Sequence, residues 1–242
     1  MDFLQNCIKA NYEIYHLLNT EQDLQTQMQR GFGGDISLKA DLKAEAVFIK
    51  YLQKFGRIYS EESGMSGSGR DIVIIDPIDG SKNFASNIPC FGSSAALEKR
   101  GEVVCAVVAN FAAGCMYIKD ESCFERRFFS YKKVQKIFLT PLCGMGIFEK
   151  SYESEKLAPY LRQEGFKYRS LGALALSLSM AHEVDFVLFE GRIREFDIAG
   201  GWYMCEDLFR FKNDKFLLVS KDKGIFDKIS DFIKEQGLDG FF

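Results

Sequence analysis

Residues 72–84 read IVIIDPIDGSKNF. Four consecutive apolar β-formers, Ile72, Val73, Ile74 and Ile75, predict a buried strand. Pro77 has no N–H to donate and its ring holds Asp76 extended, so the ladder is expected to end there. The chain then turns through Ile78, Asp79 and Gly80. Asp76 and Asp79 thereby share the carboxyl end of one strand on a rigid turn. Hard divalent cations take such oxygen donors, and Mg²⁺ uses a few carboxylates while keeping water. Gly80 and Ser81 open a short helix, whose free N–H groups and positive dipole end suit an anion. Asp-Pro and Asp-Gly are also ordinary turn dipeptides, and Asp is a common N-cap. Taken alone, the DxxDG element divides evenly between structure and chemistry.

On the N-terminal side, Phe3, Leu4, Cys7, Ile8, Ile14, Tyr15 and Leu18 recur at helical spacing. They predict a helix from residue 3 to about residue 28, and a second is expected over 41–55 with Gly56 as its left-handed stop. Further strands are predicted over 58–60, 91–97, 103–110, 115–119 and 122–128. Turns such as Arg100-Gly101 and Lys119-Asp120 suit antiparallel hairpins. Beyond residue 134 the pattern alternates: strands over 137–140, 167–170, 185–190 and 215–220, with helices over 152–163, 173–182, 198–207 and 225–236. Alternation of this kind indicates βαβ units and a largely parallel or mixed sheet. Two interlocked halves are expected, an N-terminal α+β half over 1–134 and a C-terminal α/β half over 135–242. The Gly/Ser-rich segment 64–69 reads as a mobile loop tip.

The 242 residues support one large domain or two small ones with a sizeable core. Basic and acidic residues number 31 and 34, a net charge of −3, and the balance holds on both sides of Val134. This excludes a basic nucleic-acid module and an acidic tail, and no direct nucleic-acid binding is expected. The 47% apolar content with only 4 Pro argues against disorder. No run approaches the ~20 apolar residues of a membrane span, and Asp2 stands where a secretory signal carries positive charge. The seven cysteines are odd in number, lack a CxxC pair and sit in apolar runs, which suits a reducing compartment. A cytoplasmic location is the expectation. His16 and His182 lack a second ligand at metal spacing and read as surface or packing residues.

Two further acidic sites change the weight of the first. Glu61-Glu62-Ser63 follows a predicted strand 15 positions before Asp76, and Asp197 opens a small-residue helix 118 positions after Asp79. Alone, the first reads as a solvated loop pair and the second as an N-cap. Together the segments EES at Glu61, DPIDGSKNF from Asp76 and FDIAGG at Phe196 resemble the inositol monophosphatase family of magnesium-dependent phosphatases. The match spans most of the chain in the same order.

The resemblance implies a layered α/β/α/β/α sandwich of the sugar-phosphatase type within the α/β (α+β) class, and commonly a homodimer. It implies two or three Mg²⁺ ions, with Li⁺ or Ca²⁺ inhibitory. Glu61, Asp76 and the Ile78 carbonyl would hold one ion, and Asp76, Asp79 and Asp197 a second. A third, looser ion would sit near Glu61. Gly80 and Ser81 would receive the phosphate through backbone N–H groups. Ser81 stands where the family usually has Thr, and Asp41 matches the acid that partners this hydroxyl. A water activated by metal, with the ions neutralising phosphate and leaving-group charge, removes any need for a phosphoryl-enzyme.

For the substrate, Glu190 matches a carboxylate that bonds sugar hydroxyls, and Gly172 a small-residue contact. Asp79 and Asp197 would also touch the substrate. Leu174 replaces the usual Ala, Phe196 replaces Trp, and the segment 206–209 lacks the usual Gly pair. Lys82 is similar to relatives that cleave adenosine bisphosphates, while Arg192 and Arg194 offer charge for a second phosphate. The substrate is expected to be a small phosphorylated metabolite. Inositol monophosphate leads, with fructose 1,6-bisphosphate and 3′-phosphoadenosine 5′-phosphate as alternatives. An alternative of another class is an interaction protein of the transcription machinery that keeps the fold. Four clustered carboxylates argue for the enzyme, since their mutual repulsion costs stability without cations.

Overall fold

The computed structural model describes residues 2–131 and 133–237. The chain begins with α1 (Phe3–Thr20), a hairpin of β1 (Gln27–Arg30) and β2 (Ile36–Leu38), and α2 (Lys39–Leu52). Next come β3 (Arg57–Ser60), β4 (Gly64–Ser66), β5 (Ile72–Asp79) and the short α3 (Ser81–Ala85). Strands β6 (Gly92–Lys99), β7 (Glu102–Asn110), β8 (Cys115–Lys119), β9 (Phe124–Phe128) and β10 (Val134–Lys136) complete the first sheet. The remainder runs β11 (Gly146–Glu149), α4 (Leu157–Gln163), β12 (Tyr168–Arg169), α5 (Leu174–Ser179), β13 (Phe186–Glu190) and α6 (Glu195–Met204). It ends with β14 (Phe209–Lys212), β15 (Phe216–Ser220) and α7 (Lys223–Glu235).

The first sheet has eight strands in the order β10-β9-β8-β7-β6-β5-β3-β4. Its neighbours are antiparallel except β3 and β5, which run parallel. Period-two alternation sorts its side chains cleanly. Val73, Ile75, Ala95, Leu97, Val107 and Ile118 face α1 and α2, whereas Ile74, Ala96, Ala106, Val108 and Tyr117 face α5 and α6. The second sheet has five strands, β12-β11-β13-β15-β14, and is mixed. Its Ile147, Val187, Phe189, Leu217 and Val219 meet α5 and α6 from the other side. Phe148, Phe186, Leu188, Phe216 and Leu218 pack on α4 and α7. The layers are therefore helix, sheet, helix, sheet, helix. Helix α6 can lie this deep because Gly200 and Gly201 carry no side chain. A Cβ at Gly200 would sit 2.7 Å from Ser94 Oγ, and one at Gly201 2.5 Å from Leu178 Cβ.

Four expectations are corrected. Helix α1 stops at Thr20 instead of reaching residue 28, because beyond Leu18 only Leu24 and Met28 interrupt the polar residues, too few to extend an apolar helical face. The backbone of Gln27–Arg30 pairs with Ile36–Leu38 instead. Gly56 is extended, not left-handed (φ 163°); it is required because a Cβ would lie 2.3 Å from the Asp71 carbonyl oxygen. Within 64–69, Gly64–Ser66 is strand β4, paired with β3, and not a loop tip. No strand forms over 137–140: Pro141 has no N–H, and Phe138 and Leu139 stand exposed. The second sheet starts instead at Gly146–Glu149.

All seven cysteines are free. His182 is buried just beyond α5, with Nε2 3.0 Å from Asp207 Oδ2. Among the described residues no helix is long and apolar enough to cross a membrane.

Candidate active site

The parallel pairing of β3 and β5 creates the site. Ser60 sits opposite Ile75, so the next residues, Glu61 just past the end of β3 and Asp76 still within β5, come side by side. Pro77 does not end β5; the β5–β6 register slips between Asp76 and Asp79, and the strand continues as a bulge. That bulge carries Asp79 past the end of β3 and over α5, where its Oδ2 accepts from Leu176 N at 2.9 Å. Helix α6 delivers Asp197 from the middle layer in its first turn. Carboxylate oxygens of Glu61, Asp76 and Asp197 lie within 4.8 Å of one another. Asp76 is 2% exposed, and its Oδ1 has no hydrogen-bond partner.

Burial governs the protonation of these acids. It pushes Asp76 well above the usual carboxylate range, reinforced by Glu61, Asp79 and Asp197. Glu61 is pushed up to about 8, mainly by burial, although the Arg194 guanidinium opposes the shift. Asp79 is pushed up to about 7 by burial, with the Leu176 N–H opposing. Arg194 forks onto Asp197 (Nε to Oδ2 2.7 Å, Nη2 to Oδ1 2.9 Å) and reaches Glu61 Oε1 at 2.8 Å.

Beside the acids, Asp41 Oδ1 accepts from Ser81 Oγ at 2.7 Å, and Ser81 Oγ also lies 2.8 Å from the Ile78 carbonyl. Asp41 caps α2 by accepting from Leu38 N, so its capping role and its place in the site coexist. Burial pushes its carboxyl up to about 6. Gly80 precedes α3 in the left-handed region (φ 88°), and a Cβ there would press on the Cys90 carbonyl at 2.9 Å. Asn83 Nδ2 ties this turn to the second half of the chain, donating to Cys90 O and Leu171 O at 2.7 Å each. The acids and this turn line one cleft of about 690 Å³.

A family model for the inositol monophosphatase family matches residues 6–208. The chain belongs to that family. An inositol-1-monophosphatase of Mesorhizobium japonicum is 27% identical over 224 residues, covering 87% of this chain and 83% of that protein. A fructose-1,6-bisphosphatase/inositol-1-monophosphatase of Thermotoga maritima is 28% identical over 246 residues, covering 98% and 93%. The solved structure of a Thermotoga maritima inositol monophosphatase superposes with a TM-score of 0.79 at 25% identity, covering 97% of this chain and 98% of that one. The layered sandwich is thus the family fold, and the chain is a phosphomonoesterase of the inositol monophosphatase family. The family implies a metal-dependent phosphatase, consistent with the acidic cluster.

Among the expected inositol monophosphatase site residues, Asp41, Glu61, Asp76, Ile78, Asp79, Gly80, Ser81, Gly172, Leu174 and Asp197 all line the cleft. Glu190 is not among the lining residues: its Oε2 accepts from Ser154 Oγ at 2.5 Å, and Oε1 lies 3.6 Å from Lys215 Nζ. Arg194, read as a contact for a second phosphate, is engaged by carboxylates instead. Two features escaped the sequence. Glu149, at the end of β11, is 2% exposed and accepts from Gly172 N (2.7 Å) and Ser177 Oγ (2.5 Å), fixing the Gly172 turn. The β1–β2 hairpin tip, Gly33 to Ile36, forms a wall of the cleft, docked through Gly33 N to the Glu61 carbonyl at 2.7 Å.

Proposed function

We propose that the protein hydrolyses a small polyol or sugar phosphate with Mg²⁺, inositol monophosphate first among the substrates. The observation that carries this reading is Asp76 Oδ1, a buried carboxylate oxygen without a partner, surrounded by three further acids at the base of an open cleft. An orphaned acceptor in an all-oxygen donor set fits a hard divalent cation. Glu61, Asp76, the Ile78 carbonyl, Asp79 and Asp197 would hold the ions. Bound there, Mg²⁺ supplies Lewis-acid activation of water and neutralises charge on the phosphate.

The protein groups do the rest. Ser81 Oγ has one proton and two acceptors, Asp41 Oδ1 and the Ile78 carbonyl. A proton arriving at Ser81 Oγ from the attacking water is passed to Asp41 Oδ1. Its raised pKa of about 6 makes this carboxylate a stronger base than an exposed aspartate. Gly80 and Ser81 present backbone N–H groups to the phosphate, and the Gly172 turn, with Leu174 behind it, bounds the alcohol. A role for Glu190 toward substrate hydroxyls requires that it leave Ser154. A cytoplasmic homodimer, inhibited by Li⁺ or Ca²⁺ and without direct nucleic-acid binding, belongs to the same reading.

Phosphate release from inositol monophosphate, fructose 1,6-bisphosphate and 3′-phosphoadenosine 5′-phosphate, with Mg²⁺ and with or without Li⁺, tests it. The first should be hydrolysed fastest, and Asp79→Asn should lower turnover at least about 10²-fold. Faster hydrolysis of a bisphosphate would replace the substrate. No release from any of the three, or full activity in Asp79→Asn, would reject the catalytic reading in favour of an interaction protein.

A further inference from the structure

Arg194 stands at the mouth of α6 with all three of its nitrogens engaged. Nε and Nη2 grip both oxygens of Asp197, while Nη1 meets Glu61 Oε1 at 2.8 Å and Asp35 Oδ2 at 3.0 Å and donates to the Gly33 carbonyl at 3.3 Å. Its guanidinium lies 5.1 Å from the Phe196 ring centroid, within cation–π range. Two of the three carboxylates that converge within 4.8 Å are therefore already paired with one positive charge that the chain itself supplies. A planar fork on both oxygens of Asp197 uses the lone pairs a metal would need, and its charge repels a second cation at close range.

We propose that Arg194 is a built-in counter-ion that stands in for the divalent cations at Glu61 and Asp197 and is exchanged out when metal loads. The proposal rests on the metal reading of the site and adds to it a residue that sets metal affinity without being a ligand. Without metal, the arginine relieves repulsion between Glu61 and Asp197 and keeps the cluster assembled. With metal, it gives up these two carboxylates while the Asp35 carboxylate and the Gly33 carbonyl, which belong to the hairpin tip and not to the acid cluster, still hold its head. The chain thus gains stability when metal-free and loses metal affinity in return.

Metal-stripped full-length protein, titrated with Mn²⁺ by electron paramagnetic resonance and with Mg²⁺ by calorimetry, tests the exchange. Two neutral variants are used, Arg194→Met, which keeps the apolar stem on Phe196, and Arg194→Gln, which keeps a hydrogen-bonding head. Each should bind Mn²⁺ about tenfold more tightly than the wild type. Each should also melt at a lower temperature without metal, so that the metal-induced rise is larger than in wild type. Arg194→Lys, which keeps the charge but not the fork, should restore wild-type affinity in part. Unchanged or weaker binding in both neutral variants overturns the exchange while leaving the metal site standing. If the wild type binds no Mn²⁺ that Asp76→Asn abolishes, the metal reading and the exchange fall together.

Discussion

At the scale of single residues, the site was legible because its chemistry needs particular side chains at fixed backbone positions. The Asp76–Asp79 turn alone divided evenly between structure and metal chemistry, Glu61 and Asp197 alone read as structural, and the resemblance of the three segments to the family is what implied one metal site. The structure supplies the reason: parallel strands place Glu61 beside Asp76, and a bulge carries Asp79 beyond them. What the residue pattern did not carry is where long side chains point. Arg194 and Glu190 have several rotatable bonds each, and their partners Asp35 and Ser154 are remote in sequence. The Asp41–Ser81 pair makes a prediction at this scale. Asp41→Asn keeps the α2 cap through its amide oxygen but cannot take a proton, so kcat should fall by about 10²-fold while KM moves little. Ser81→Thr retains the hydroxyl and should stay within a few-fold of wild type. Steady-state kinetics on inositol monophosphate decide; equal activity in Asp41→Asn removes the proton relay.

At the scale of elements, the strongly periodic strands of the first sheet were read closely: 115–119 matches Cys115–Lys119, and 103–110 differs from Glu102–Asn110 by one residue. Each carries apolar residues on both faces because helices cover both. Short elements between glycines and prolines were missed. Strand β11 is four residues, GIFE, opening on Gly146 with Gly144 just before it, while the apolar run 137–140 beside it looked more strand-like and stayed outside. The loss was functional as well, since Glu149 ends β11. Its carboxylate is the acceptor for Gly172 N, Leu171 N and Ser177 Oγ, so it acts on the substrate wall as a positioning residue. Glu149→Ala would leave these buried donors unpaired and should destabilise the fold by about 2–3 kcal/mol in urea unfolding. Because the Gly172 turn loses its anchor, KM should rise more than kcat falls. Glu149→Gln, which retains one acceptor oxygen, should recover most of the stability and part of the KM. A variant with unchanged KM would reduce Glu149 to a core residue.

At the scale of the whole molecule, four of the five layers converge on one place, and that place gathers buried carboxylates that repel one another. Sheet one supplies Asp76 and Asp79, the middle helices Asp197, the first helical layer Asp41, and the second sheet Glu149. Packing and the single charge of Arg194 hold these buried acids together, so the metal-free protein should depend on pH in a definite direction. Burial raises Asp41 from 3.8 to about 6, Asp79 to about 7 and Glu61 to about 8. A buried acid whose folded pKa is raised binds its proton more tightly when folded, so stability falls with rising pH over the range where the folded state holds more protons than the unfolded chain. The stabilisation is complete below about pH 4 and is lost as the pH rises through these folded values to about 8. For Asp41 alone, the displacement corresponds to about 3 kcal/mol. The melting temperature of metal-stripped protein should therefore decline steadily between pH 5 and pH 8, against the usual rise as carboxylates ionise in favourable pairs. Millimolar Mg²⁺ should flatten that decline, because ions that bind only the folded, ionised site stabilise it by mass action, and most at high pH. Differential scanning fluorimetry across this range, with Mg²⁺ or with a chelator, measures both slopes. A metal-free melting temperature that climbs with pH would mean that the carboxylates do not share one desolvated site. A decline that Mg²⁺ leaves untouched would mean that they share it but do not close on a metal.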